Sequence, residues 1–203
     1  IEMEDARETK TMKLKEDFYL RTDVVRIAKD LLGKYLITNI DGKKCVGLIT
    51  ETEAYEGVTD KASHAYGGRR TDRTEVMFGR GGVSYVYLCY GIHHLFNVVT
   101  NYAESPHAVL IRGVLPIEGQ EWMCERTKKA KANKAISDGP GKLTKAFGIN
   151  MELNKVSLLA NDIWIEDRNF KVLPNKILIS KRIGIDYAEE DADLLYRFNL
   201  LTT

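Results

Sequence analysis

Apolar and polar positions become periodic at Asp23. Val24, Ile27, Ala28, Leu31 and Leu32 recur at helical spacing, with Thr22 or Asp23 placed to cap the first turn and Gly33 to end it, which predicts one amphipathic helix. The period then shortens to two. Residues 34–40 and 44–55 are β-branched, alternating runs, and the Asp41-Gly42 between them is a strong hairpin signal. Further strands are predicted over residues 83–90, 95–100 and 108–114, separated by Gly91 and by a turn cluster at 101–106. Pro116 reads as the opening of a helix through Glu125, and Asp138-Gly139-Pro140 as the cap of another that ends near Gly148. Residues 163–166 and 177–183 read as closing strands. The core is therefore expected to be antiparallel β with flanking helices, in one mixed α/β (α+β) domain.

Two segments fall outside the pattern. Residues 57–82 are rich in Gly, Arg and Thr and longer than the roughly 12–15 residues usual for a loop without structure, so they are expected to be functional or disordered. Residues 1–11 are polar and aperiodic, and are read as a disordered arm or as residues added ahead of a natural start at Met12. Residues 12–203 are then a single domain, in line with about 150 residues per domain.

Composition narrows the class. With 44% hydrophobic and 29% charged residues, the 203-residue chain is far from collagen-like or disordered sequences. No apolar run approaches the roughly 18 residues that span a bilayer, and the first twenty residues hold no secretory apolar core, so a soluble intracellular protein is expected. Cys45, Cys89 and Cys124 are odd in number and lack C-x-x-C spacing, which favours reduced thiols over a disulfide framework or thiolate zinc site. His64, His93, His94 and His107 show no metal-binding spacing, so no metal is expected. The net charge of +1 favours no partner by itself, but Arg69, Arg70, Arg73 and Arg80 crowd one Gly-rich stretch and Asp186, Glu189, Glu190, Asp191 and Asp193 crowd another. These runs are either two differently charged functional faces or plain solvated ones.

Candidate chemistry begins at Glu51-Thr52-Glu53-Ala54-Tyr55. Alternation puts Glu51, Glu53 and Tyr55 on one face. A carboxylate on an otherwise apolar strand is costly to desolvate unless paired or put to use; the plain alternative is an edge strand with both glutamates in water. A second cluster is aromatic. Tyr85 and Tyr87 share a face of the strand at 83–90, while Tyr90, beside Gly91, projects from a hairpin tip. An aromatic ring there is a suitable wedge for a base-pair step, although tyrosine also simply packs well in strands. Asp138-Gly139-Pro140-Gly141-Lys142 places backbone N–H groups and an ammonium at a helix start, where a phosphate would sit well, and where capping is an equal explanation.

Together these residues carry a resemblance. Glu51 to Tyr55 (ETEAY), His64 to Gly68 (HAYGG), Arg73 to Gly79 (RTEVMFG) and Tyr85 to Val99 (YVYLCYGIHHLFNVV) resemble, in order and spacing, the alkyladenine (3-methyladenine) DNA glycosylase family. Weaker matches lie at Val109 to Arg112, Asp138 to Leu143 and Arg182 to Ile185, and the likeness runs from about Tyr19 to Phe198. It implies a curved, open-barrel-like antiparallel sheet with a protruding hairpin. It further implies a monofunctional glycosylase that flips damaged purines out of duplex DNA and hydrolyses the N-glycosidic bond, as a monomer located at DNA, without metal, organic cofactor or membrane. Residue by residue, Glu53 matches the general base and Arg112 a basic residue beside the catalytic water. Tyr55, His64 and Tyr87 match the aromatic sandwich around the flipped base, and Asn97 the pocket Asn associated with excluding guanine. Tyr90, with Ile92 and His93 beside it, matches the intercalating tip, and Arg69, Arg73 and Lys142 are candidates for the DNA backbone. Two positions depart from the family pattern: Ile92 replaces a common Met, and Leu195-Tyr196-Arg197-Phe198 lacks a Pro often found before the C-terminal Arg-Phe.

Two rival readings are weighed. A sugar O-glycosidase would use Glu51 and Glu53 as acid and base, since their Cα atoms lie about 6–7 Å apart on a strand. A non-enzymatic damaged-DNA-binding module would use the aromatic and basic residues and leave Glu53 structural.

Overall fold

A computed structural model describes residues 12–202; the arm read at residues 1–11 lies outside the described residues. A short strand β1 (Met12–Lys13) and a single helical turn α1 (Glu16–Tyr19) lead into α2 (Val24–Leu31). Asp23 is the residue that caps α2: its backbone is extended and its carboxylate accepts the Arg26 N–H at 2.9 Å. The buried stripe of α2 is Val24, Ile27, Ala28 and Leu31, as the spacing predicts.

The alternating runs form a curled antiparallel sheet. β2 (Tyr35–Ile40) turns into β3 (Lys43–Tyr55) through Asp41 and Gly42, both at positive φ, as a type I′ hairpin requires. β4 (Val83–Cys89), β5 (His93–Thr100) and β6 (His107–Glu118) follow as a meander, and β7 (Ile163–Asp167) returns beside β2. The strand order is β1-β7-β2-β3-β6-β5-β4. β8 (Ile177–Ser180) pairs with β9 (Arg197–Leu200), and β9 takes the free edge of β3 beyond the end of β2, from Glu51↔Asn199 to Glu53↔Arg197. β3 is thus flanked by β2 and then β9 on one side, and by β6 on the other. Its register against β6 slips on both sides of Glu51, and such bulges bend a strand and re-aim its side chains.

Two helices cross one face of this sheet, α3 (Gln120–Thr127) and α4 (Pro140–Phe147). The helix read from Pro116 is corrected: Pro116 lies inside β6, opposite Gly47, where the ladder is already out of register and a missing N–H costs little. The chain turns into α3 at Gly119, with φ at 77°, where a Cβ would lie 2.2 Å from the Lys44 carbonyl oxygen. The strand read through residue 183 stops at Ser180, and β9, too short to show alternation, is found only in the structure.

The main core lies between the helices and one sheet face, around Ile27, Leu31, Phe96, Ile111, Phe147 and Phe198. Thr52 and Ala54 point into it, and Thr52 donates its hydroxyl to the Ala28 carbonyl at 2.8 Å. The opposite face is covered by the long 57–82 segment. That segment is folded: it forms 3-10 turns at Tyr66–Gly68 and Glu75–Phe78 and buries Ala65, Val76, Met77 and Phe78 against Tyr85, Val99 and Ala108. A third cluster joins Ala62 to Ile185 and Ala188. Among the described residues no helix is long and apolar enough to cross a membrane.

Candidate active site

Alternation along β3 leaves Glu51, Glu53 and Tyr55 on the face away from the main core, where the 57–82 and 181–193 segments enclose them. Glu53 is fully buried. Its Oε1 accepts the Ile183 N–H at 2.8 Å and lies 3.6 Å from the Arg112 guanidinium, and its Oε2 accepts the Tyr55 hydroxyl at 2.8 Å. Burial raises the pKa of Glu53 above the ordinary glutamate value, against the opposing pull of Arg112, the Ile183 N–H and the Tyr55 hydroxyl; Glu51 adds to the rise. Glu51 is occupied differently, with Oε1 taking guanidinium donors from both Arg112 (2.9 Å) and Arg197 (2.7 Å).

A cleft of about 470 Å³ opens above this carboxylate, and Tyr55, Arg112 and Ile183, its three partners, all line it. Glu53 therefore lies one side chain beneath the cleft wall. Tyr85 and Tyr87 enter from β4 with ring centroids 5.3 Å apart, and His64 meets Tyr87 edge-on at 4.8 Å. The His64 Nδ1 shares a 2.9 Å hydrogen bond with the Tyr85 hydroxyl. Burial, with Arg73 and Arg69 nearby, lowers the His64 pKa to about 4, so the imidazole is neutral at physiological pH. Asn97, opposite Tyr85 in the ladder, is buried at the cleft and donates its amide to the Tyr85 carbonyl at 3.1 Å.

The β4–β5 hairpin ends beside the cleft in a tight turn, Tyr90 at φ 50° and Gly91 at φ 69°, closed by the Ile92 N–H to the Cys89 carbonyl. Tyr90 is 93% exposed and Ile92 72%. Placing a bulky aromatic residue at a left-handed tip position costs about 1–2 kcal/mol, and the apolar exposure adds to it, so the tip is poorly explained by stability. His93 turns away from the tip: its ring lies against Gly141 in the first turn of α4, where a Cβ would come within 2.9 Å of it. Lys142, on the same turn, is exposed and paired with Asp138 at 2.8 Å. Arg69 is exposed, and Arg73 stacks its guanidinium 4.6 Å from the Tyr87 ring centroid, a planar cation on a tyrosine face inside the cleft.

Comparison with known proteins decides what this arrangement belongs to. Residues 17–202 match the model of the methylpurine-DNA glycosylase family. A protein named "Putative 3-methyladenine DNA glycosylase" from Chlamydia abortus is 46% identical over 92% of this chain and 97% of its own length. Proteins of the same name from Desulfitobacterium hafniense and Clostridium perfringens are 45% and 46% identical, over 93% and 92% of this chain and 95% of their own lengths. The chain belongs to the methylpurine-DNA glycosylase family.

As a member of that family of DNA-repair glycosylases, the chain takes DNA as its substrate. Alternation on β3, β4 and β5 brings Glu53 and Tyr55, Tyr87, and Asn97 respectively into one site, and the 57–82 segment brings His64 and Arg73. Sequence reading did not single out Ile183, whose N–H holds Glu53, Tyr187, which lines the cleft, or Asp60, whose carboxylate accepts two Arg182 donors. Ile183 and its neighbour Arg182 lie in the short Arg182 to Ile185 stretch, and that likeness was the only available signal. The roles of the others depend on chain reversals that carry no periodic pattern. Among the described residues, no three His, Cys, Asp or Glu side chains are grouped so as to hold a metal.

Proposed function

We propose that this glycosylase removes alkylated purines, 3-methyladenine and 7-methylguanine among them, from duplex DNA, using Glu53 to activate water. The observation that carries the reading is a fully buried carboxylate directly beneath an aromatic cleft, with every one of its partners lining that cleft. Desolvation makes such a carboxylate a stronger base, which suits proton abstraction from water near neutral pH.

The chemistry follows from charge. Alkylation at N3 or N7 leaves the purine cationic, so when the C1′–N9 bond breaks the base takes the bonding pair and departs neutral. Positive charge then develops at the sugar, and the Glu53 carboxylate stabilises it while accepting a proton from the attacking water. Arg112, on the opposite side of the carboxylate from Tyr55, orients the water and faces the phosphate. Hydroxide adds at C1′ and the strand stays intact, which makes the enzyme monofunctional.

Selectivity has three sources. Tyr55 and Tyr87 offer electron-rich faces to a planar cation, a role the Arg73 guanidinium illustrates on Tyr87. His64, being neutral, adds stacking and hydrogen bonding without repelling that cation. Asn97, in the cleft lining, serves to exclude normal guanine. Tyr90, assisted by Ile92, fills the gap left in the duplex, and flipping costs least at damaged pairs. Arg69, Arg73 and Lys142 serve the backbone, and the working unit is a monomer.

The test is product analysis on methylated duplex DNA, with EDTA present. Free 3-methyladenine or 7-methylguanine should appear, and the strand should break only after alkali. Lesion binding without base release would leave a damage-binding module as the better reading. Glu51, held by two guanidinium groups, leaves little to support an O-glycosidase.

A further inference from the structure

We propose that Arg182, paired with Asp60, is a positioning residue for base release: its guanidinium fixes the backbone turn that presents the Ile183 N–H to Glu53 and holds the Tyr55 ring against the cleft. This deepens the glycosylase reading above and rests on it.

The geometry is specific. The side chains of Arg182 and Asp60 are buried to 0% and 1% exposure. Nη1 donates to Asp60 Oδ2 at 2.5 Å and to the Ala54 carbonyl at 2.9 Å, and Nη2 donates to Asp60 Oδ1 at 2.9 Å and to the Asp191 carbonyl at 3.1 Å. The same guanidinium lies 4.8 Å from the Tyr55 ring centroid and 5.3 Å from that of Tyr196. Asp60 is itself anchored, accepting the N–H groups of Glu56 at 3.1 Å and Ala62 at 3.0 Å. One side chain therefore ties together the end of β3, the start of the 57–82 segment and the 181–193 segment. The next residue along the chain delivers the 2.8 Å hydrogen bond to Glu53.

A purely stabilising role explains this poorly. A buried ion pair pays a desolvation cost that apolar side chains of similar volume avoid, and such replacements are often neutral or stabilising. What the pair supplies is a planar fork satisfying two backbone carbonyls and a carboxylate at once, which a lysine ammonium cannot reproduce. Glu53 is faced by Tyr55 and Glu51 from β3, by Arg112 from β6, and by the Ile183 N–H from the segment that Arg182 anchors. Loss of that N–H weakens the hold on the carboxylate form, so Glu53 would ionise only at higher pH.

The experiment compares the wild-type chain with Arg182→Lys and with the double variant Asp60→Leu/Arg182→Met, and includes Arg182→Met alone as the reference for the thermal midpoint. It measures single-turnover release of 7-methylguanine from duplex DNA at saturating enzyme, together with thermal midpoints. Both variants should release base about 100-fold more slowly, with the half-saturating enzyme concentration changed less than threefold. The acid limb of the Arg182→Lys rate profile should move to higher pH, and the double variant should recover the thermal midpoint lost in Arg182→Met alone. Activity per folded molecule within threefold of wild type, with an unmoved acid limb, overturns the proposal, as does failure of both variants to fold. Absence of release by the wild type would instead overturn the glycosylase reading, and this proposal with it.

Discussion

At the scale of single residues, the site is governed by what burial does to charge. Glu53 binds its proton more tightly folded than unfolded, because burial raises its pKa. The sign follows: the folded state is favoured while the carboxyl is protonated, and stability falls as pH rises through the raised pKa. Glu53→Gln should therefore melt higher than the wild type at pH 7–8, and the difference should vanish below the ordinary glutamate range. Thermal melts between pH 3.5 and 8 check this; a lower midpoint for Glu53→Gln at pH 7.5 would show that the carboxylate is a net stabiliser. His64 has the opposite sign. Its pKa is lowered to about 4, so its contribution is complete above pH 6.5 and lost as pH falls through 4.

At the scale of elements, the hairpin of β4 and β5 divides its labour along its length. Its base buries Tyr85 and presents Tyr87 and Asn97 to the cleft, while its tip holds Tyr90 in a left-handed turn, nearly fully exposed. A wedge matters most where unpairing is costly. Tyr90→Ser should thus slow release from lesions in stable pairs more than from lesions in mismatches, by about tenfold or more; single-turnover rates on matched and mismatched duplexes measure it, and equal losses would remove the wedge role. Strand and helix periods were legible because each element buries one face: α2, β2, β3 and α4 appear where alternation, the Asp41-Gly42 turn and the caps put them. Pro116 misled because a proline tolerated at a ladder irregularity looks like a helix start. The fold of the 57–82 segment was illegible for another reason. Its buried residues are set by the β4, β5 and β6 surface they cluster on, not by a helix or strand of their own, so no local period records them. Gly47 likewise shows no signal in sequence, yet a Cβ there would fall 2.2 Å from Val114 and 2.7 Å from Phe147, because α4 crosses the sheet at that point.

At the scale of the whole molecule, a curled sheet separates stability from chemistry. One face of β3 sends Thr52 and Ala54 into the main core, and the other sends Glu51, Glu53 and Tyr55 into the site, so a single strand serves both. Spacing alone put Glu51, Glu53 and Tyr55 on one strand face and Tyr85 and Tyr87 on another, whereas His64, Asn97 and Arg112 were legible only through the family resemblance. The Arg182–Asp60 clasp was not legible, because it joins positions 122 residues apart. Charge is divided as well: Arg73 and Arg112 line the cleft, while Glu189 and Glu190 of the 181–193 segment pair with Lys61 of the 57–82 segment. With a net charge of only +1 for the whole chain, the proposed DNA contact has to rest on such local basic residues. The central claim is that Glu53 is the base beneath the aromatic cleft, and single-turnover release of 7-methylguanine by wild type and Glu53→Gln tests it most directly. The account expects release by the wild type and a rate about 10²–10⁴-fold lower for Glu53→Gln, with lesion binding kept within a few-fold. Release by Glu53→Gln within tenfold of the wild-type rate would contradict it.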